Sequence, residues 1–294
     1  GTVKADVYEG KVSDVQGYVY EHMMPSVLEM IPYVYAAPKS FVYAKTTGSQ
    51  NNWNEAGRWL YGLQKDALTL SEGFRSKVLA LVDGLQTDRQ KIKALYDYLR
   101  QNTRYVSIQL GIGGLKPFPA EMVMASGFGD CKALSIYMQA LLDVVGIRSE
   151  YLIVDTGRKN LMAGIYTVGQ MDHAMLCVPM QKDTLWVECT NPRLPIGYRH
   201  DNIAGHEVVL VGEDGGKKVR VRPYEDSLSY SVESVDVVLY DDGSAHCKGM
   251  RYLSLDQVEP YIGFADFSEK AKFNAVMGAN SLNPVDFKID SVEH

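Results

Sequence analysis

Three residues of the chain combine side-chain type and surroundings suited to nucleophilic chemistry: Cys131, His173 and Glu188. A thiol attacks a carbonyl carbon as its thiolate. The first turn of a helix favours that anion, because its unpaired backbone N–H groups and the macrodipole place positive charge there. Gly127-Phe128-Gly129-Asp130 reads as a turn ending in a good N-cap. Leu134, Met138, Leu141, Leu142 and Val145 then follow at helical spacing until Gly146 stops the helix. Cys131 therefore opens a buried helix, where the same N–H groups are placed to hold an oxyanion. A lone cysteine is more commonly a buried packing residue; its position directly after a glycine-bracketed cap favours chemistry.

A cysteine nucleophile needs a base and a group that orients the base. His173 opens a strand expected at 174–178, and Glu188 closes the next one, expected at 185–189. In an antiparallel hairpin the start of one strand lies beside the end of the other. If paired positions sum to 361, His173 faces Glu188 directly; at 363 the two are diagonal neighbours that the longer glutamate arm spans; at 365 they are too far apart. An even sum puts them on opposite faces. Under an odd sum Cys177 shares the face of His173 and Cys189 points to the other side, so the triad and a Cys177–Cys189 disulfide exclude one another. Both cysteines are expected reduced.

The elements that must position these residues can be read along the chain. Strand-like alternation marks Tyr33-Val34-Tyr35 and Phe41-Val42-Tyr43 on either side of Ala37-Pro38. From Trp53 the period becomes helical, and Thr87-x-x-Gln90 forms a capping box ahead of Ile92, Leu95, Tyr96 and Leu99 on one face. A strand at 104–108 and a short helix at 120–124 lead to the Cys131 helix. Strands are then expected at 150–154, 174–178, 185–189, 207–211 and 218–221. Beyond Pro223 a hairpin at 235–250 turns on Asp241-Asp242-Gly243, followed by a helix near 268–277 and a last strand at 286–290.

With 294 residues, 46% hydrophobic and 22% charged, the chain has the composition of a globular protein able to bury a sizeable core. A net charge of -6, with no basic stripe in the sequence to neutralise a row of phosphates, argues against nucleic-acid binding. Lys217-Lys218-Val219-Arg220-Val221-Arg222 alternates like an ordinary strand with one solvated face. No run reaches the roughly 18 apolar residues of a membrane helix, and the start lacks the pattern of a signal peptide. Since the first residue is Gly1, the chain is expected to be a processed or trimmed form. The four cysteines form no CxxC pair. His173 and Cys177 on one strand would stand roughly 13 Å apart, too far to grip one ion with bonds of about 2.0 to 2.3 Å, so neither metal nor cofactor is expected.

Gly129-Asp130-Cys131-Lys132, Asp172-His173-Ala174 and Trp186-Val187-Glu188-Cys189-Thr190, in that order, resemble the transglutaminase-like (papain-type) superfamily. The chain is particularly similar to bacterial multi-domain proteins in which such a core lies between N- and C-terminal β domains. Thr103-Arg104-Tyr105-Val106-Ser107 resembles the strand before their nucleophile helix. The wider superfamily usually carries aspartate where Glu188 stands, and another after the Cys-Lys pair, where this chain has Ala133. The resemblance implies an α+β fold with a nucleophile helix packed on an antiparallel sheet. Its divisions are the end of an N-terminal β domain (1–52), the core (53–222) and a C-terminal β-rich domain (223–294). It further implies cysteine-dependent acyl transfer on an amide of a peptide or protein, with hydrolysis favoured over transamidation, and a periplasmic or cell-envelope setting with a possible envelope partner. The rival expectation is an inactive scaffold of the cell envelope that binds through tyrosines such as Tyr33, Tyr35 and Tyr43.

Overall fold

The computed structural model describes residues 9–292 apart from 16, 20, 22, 23, 25, 26, 182, 280–284 and 287. The chain divides into two units, Gly1–Tyr35 and Ala36–His294. In the first, a single helical turn, α1 (Val27–Met30), is formed, and no strand occurs among its described residues. Tyr33-Val34-Tyr35 therefore does not become the expected strand. A strand needs a neighbour for its N–H and C=O groups, and Val34 is instead 92% exposed.

The second unit opens with a hairpin of β1 (Ser40–Tyr43) and β2 (Thr46–Ser49), whose turn residues Ala44 and Lys45 both have positive φ, as a type I′ turn requires. Trp59 of α2 (Trp53–Gln64) packs edge-on against Phe41 of this hairpin. After α3 (Glu72–Leu81) comes α4 (Asp88–Asn102), which carries the full capping box between Thr87 and Gln90 and buries Ile92, Leu95, Tyr96 and Leu99. The expected strand at 104–108 shrinks to two residues, β3 (Arg104–Tyr105), because its parallel partner β4 (Phe128–Gly129) is itself two residues long. Between them, α5 (Ala120–Ser126) ends on Gly127, whose left-handed φ of 71° favours glycine.

The centre is α6 (Cys131–Val144) against a sheet of β5 (Glu150–Val154), β6 (His173–Pro179), β7 (Thr184–Val187), β8 (Glu207–Gly212) and β9 (Gly215–Arg220). The spatial order is β7-β6-β5-β8-β9, and every neighbouring pair is antiparallel. On one face, Leu134, Met138 and Leu141 of the helix belong to the same core as Tyr151, Leu176, Val187 and Val209 of the strands. The other face has its own core, including Leu152, Met175, Cys177, Trp186 and Val208. Burial on both sides explains why these strands are nearly continuously apolar. At the β9 edge a Cβ on Gly57 of α2 would lie 2.2 Å from the backbone of Gly216, so this helix–strand approach depends on glycine. The fold is α+β, with the helix-on-antiparallel-sheet arrangement expected of the core.

The chain continues into a separate hairpin of β10 (Ser231–Leu239) and β11 (Ala245–Leu253), turning at 241–243 as expected. Short 3₁₀ stretches at Leu255–Tyr261 and Phe264–Asp266 and the helix α7 (Glu269–Ala279) follow. The described residues of 286–290 form no strand, and residue 287 lies outside the described ones. Among the described residues, no helix is long and apolar enough to cross a membrane.

Candidate functional site

Cys131 is the first residue of α6, and its helix start is built from Asp130. One carboxylate oxygen of Asp130 accepts from Ala133 N at 2.9 Å and the other meets Lys132 Nζ at 2.5 Å, both side chains being buried. The approach is held by the short β3–β4 ladder, where Val106 N donates to Gly129 O at 2.9 Å. Helix geometry leaves the N–H groups of the first turn without intrahelical acceptors. Ala133 N is taken by the cap, so Cys131 and Lys132 offer the N–H groups suited to an oxyanion.

The β6–β7 register pairs Leu176 with Val187 and Cys177 with Trp186, a sum of 363. This is the diagonal of the workable registers, and the glutamate arm spans it: His173 Nε2 lies 2.8 Å from Glu188 Oε2. The parity consequence holds as well. Cys177 and Cys189 are both free and buried, in the cores on opposite sides of the sheet. His173 stands at the very start of β6, at the sheet end where α6 begins. Ser135 Oγ of that helix donates to Ala174 O at 3.2 Å, fixing helix to strand beside it. The Cys131 thiol lies close enough to the His173 ring to favour its protonated form. The structure thus brings all three candidate residues together.

Burial by itself would depress the histidine's affinity for a proton. Its contacts with Cys131 and then Glu188 more than reverse this and push its pKa up to about 10. Burial would likewise raise the Glu188 carboxyl, yet its neighbours hold it well below the usual carboxylate range, His173 first and His200 next. Its Oε1 also accepts from Thr190 N at 2.7 Å and Thr190 Oγ1 at 2.5 Å. Tyr96 of α4 steadies the same corner from below, its hydroxyl donating to Glu188 O at 2.9 Å and Leu194 O at 3.1 Å.

Two contributors carry no signal of their role in the sequence. The Tyr96 hydroxyl lies on the buried, otherwise apolar face of α4. His200 lies in irregular chain, where periodicity says nothing, and its Nε2 stands 3.3 Å from Glu188 Oε2 without the alignment of a full hydrogen bond.

A cleft of about 580 Å³ is lined by His173, Glu188 and His200 and, from the C-terminal segment, by Glu259, Pro260 and Phe267. Glu259 ties that segment down, accepting from Tyr198 Oη at 2.9 Å and Asp201 N at 2.8 Å. Cys131 is only 4% exposed and is not among the lining residues. The arrangement offers a nucleophile, a charged imidazole and a buried carboxylate in sequence, with a polar cleft beside the imidazole.

Residues 75–190 match the family model of the transglutaminase-like superfamily, a stretch that contains all three candidate residues. No curated protein sequence matches the chain. Partial likeness is found to a candidate protease from Parabacteroides distasonis (15% identity, TM-score 0.46, 64% of this chain and 38% of that one). It extends to a candidate cysteine protease from Cytophaga hutchinsonii (14%, 0.32, 53% and 45%) and to LapG of Legionella pneumophila (15%, 0.29, 47% and 75%). The chain spans less than half the length of the first two.

Proposed function

We propose that the protein, whose residues 75–190 match the family model of the transglutaminase-like superfamily, is a cysteine-dependent acyl-transfer enzyme acting on an amide bond of a peptide or protein. Cys131 attacks the carbonyl carbon, the carbon–nitrogen bond breaks as His173 protonates the leaving amine, and water then releases the acyl group from the thioester. Glu188 holds the imidazole in place and balances its positive charge. The observation that carries this reading is the His173 ring bonded to a buried carboxylate at 2.8 Å and placed beside a thiol at a helix N-terminus. The proposed setting, periplasm or cell envelope, and the division into 1–52, 53–222 and 223–294 rest on family resemblance.

A second reading, an inactive scaffold that binds an envelope partner, is favoured by the near-complete burial of Cys131. A library of peptide and protein amides, screened with the wild type and Cys131→Ala, separates the two. Turnover that vanishes in the variant supports the enzyme, and its absence across the library supports the scaffold.

A further inference from the structure

We propose that His200 is a positioning residue of this site, sharing the Glu188 carboxylate with His173 so that one oxygen is held between two imidazoles. Its role in catalysis rests on the acyl-transfer reading above; the geometry does not. Oε2 of Glu188 receives His173 Nε2 at 2.8 Å and faces His200 Nε2 at 3.3 Å, while Oε1 is occupied by Thr190. His200 is buried, and its Nε2 has no hydrogen-bond partner among the described residues, which leaves Oε2 as the acceptor within reach. A buried N–H without an acceptor is costly, so the contact is driven to close.

The turn that carries His200 is locked on both sides. Ile203 N and Ala204 N each donate to His200 O at 2.9 Å, and the preceding Arg199 stacks on Tyr224 with its guanidinium 4.0 Å from the ring centre.

The consequence is electrostatic. Negative charge that Glu188 shares with His200 is charge not offered to His173, so removing His200 leaves the whole carboxylate to His173 and stabilises its cation further. The other ionisable groups around the pair are Cys131 on α6, Tyr96 on α4, Cys189 beside Glu188, Asp172 with its carboxylate bound to Thr156, Arg193, and Glu259 bound to Tyr198 and Asp201. None of these is altered by a substitution at His200.

The test is a pH titration of the full chain labelled with ¹⁵N-histidine, followed by NMR for His173 and His200. In the wild type, neutral His200 is expected as the Nε2–H tautomer. His200→Phe is expected to raise the His173 midpoint by roughly half to one pH unit, about half of what a hydrogen bond to a charged group is worth, because the effect reaches His173 only through the shared carboxylate. His200→Gln, whose amide can still donate to Oε2, is expected to restore it to near the wild-type value. An Nδ1–H tautomer in the wild type, or a His173 midpoint that is unchanged or lowered in His200→Phe, overturns the inference. The wild-type tautomer decides even if the variants fail to fold. Because the readout needs no turnover, an inactive protein with coupled histidines refutes only the enzyme reading, and Cys131-dependent turnover without coupling refutes only this one.

Discussion

Glu188→Gln keeps the shape of the side chain and removes its charge, which isolates what the carboxylate does for His173. The histidine sits at about 10 against an ordinary 6.5, and Cys131 and Glu188 achieve this against burial. At about 1.36 kcal/mol per pH unit, the interval is worth roughly 5 kcal/mol net. Each partner contributes a hydrogen bond and a charge, and together they also offset burial, so the Glu188 share is at least half of this net interval. The variant's midpoint should then fall by at least about two pH units, to about 8 or below. The amide also cannot satisfy both sides. With its oxygen on Thr190, its NH₂ faces His173 Nε2, donor against donor unless the ring changes tautomer, so the native state should lose about 1–3 kcal/mol. NMR of ¹⁵N-histidine reads the first effect and urea unfolding the second. A folded Glu188→Gln protein whose His173 titrates as in the wild type would refute the reasoning.

Asp130→Ala removes the cap and leaves Lys132 buried without its partner, a loss expected at about 3–5 kcal/mol and readable as a lower urea midpoint. Tyr96→Phe strips the donor from two buried carbonyls, those of Glu188 and Leu194, and should cost about 1–3 kcal/mol by the same assay. The raised His173 pKa also sets a pH dependence of stability. The proton is held more tightly folded than unfolded, so the contribution is fully present below about 6.5 and is lost as pH rises through about 10. The thermal midpoint should fall over that window, and His173→Gln should flatten the fall.

The helix that presents Cys131 was legible because three independent signals agreed: a glycine turn, an aspartate cap and an apolar stripe. The meeting of His173 with Glu188 was legible up to parity, since alternation in a strand allows only odd sums, but the choice of 363 depended on turn residues that permit several registers. Local pattern failed where pairing decides. Arg104 to Ile108 looks like a full strand, yet its ladder ends with the two-residue partner at Phe128–Gly129. Tyr33-Val34-Tyr35 alternates just as well, but no strand pairs with it among the described residues of its unit. His200 reaches Glu188 through irregular chain between Glu188 and Glu207, for which no period exists to be read.

The central claim is that Cys131 is an activated nucleophile, and competition between thiols tests it most directly. The full chain is treated with iodoacetamide at about pH 6, where an ordinary thiol is almost wholly protonated, and the adducts are mapped by mass spectrometry over time. Cys247 is exposed and Cys131 buried, so access alone favours Cys247. The account predicts that Cys131 is alkylated first and that His173→Ala abolishes the preference. Labelling of Cys247 with Cys131 left unmodified would contradict it.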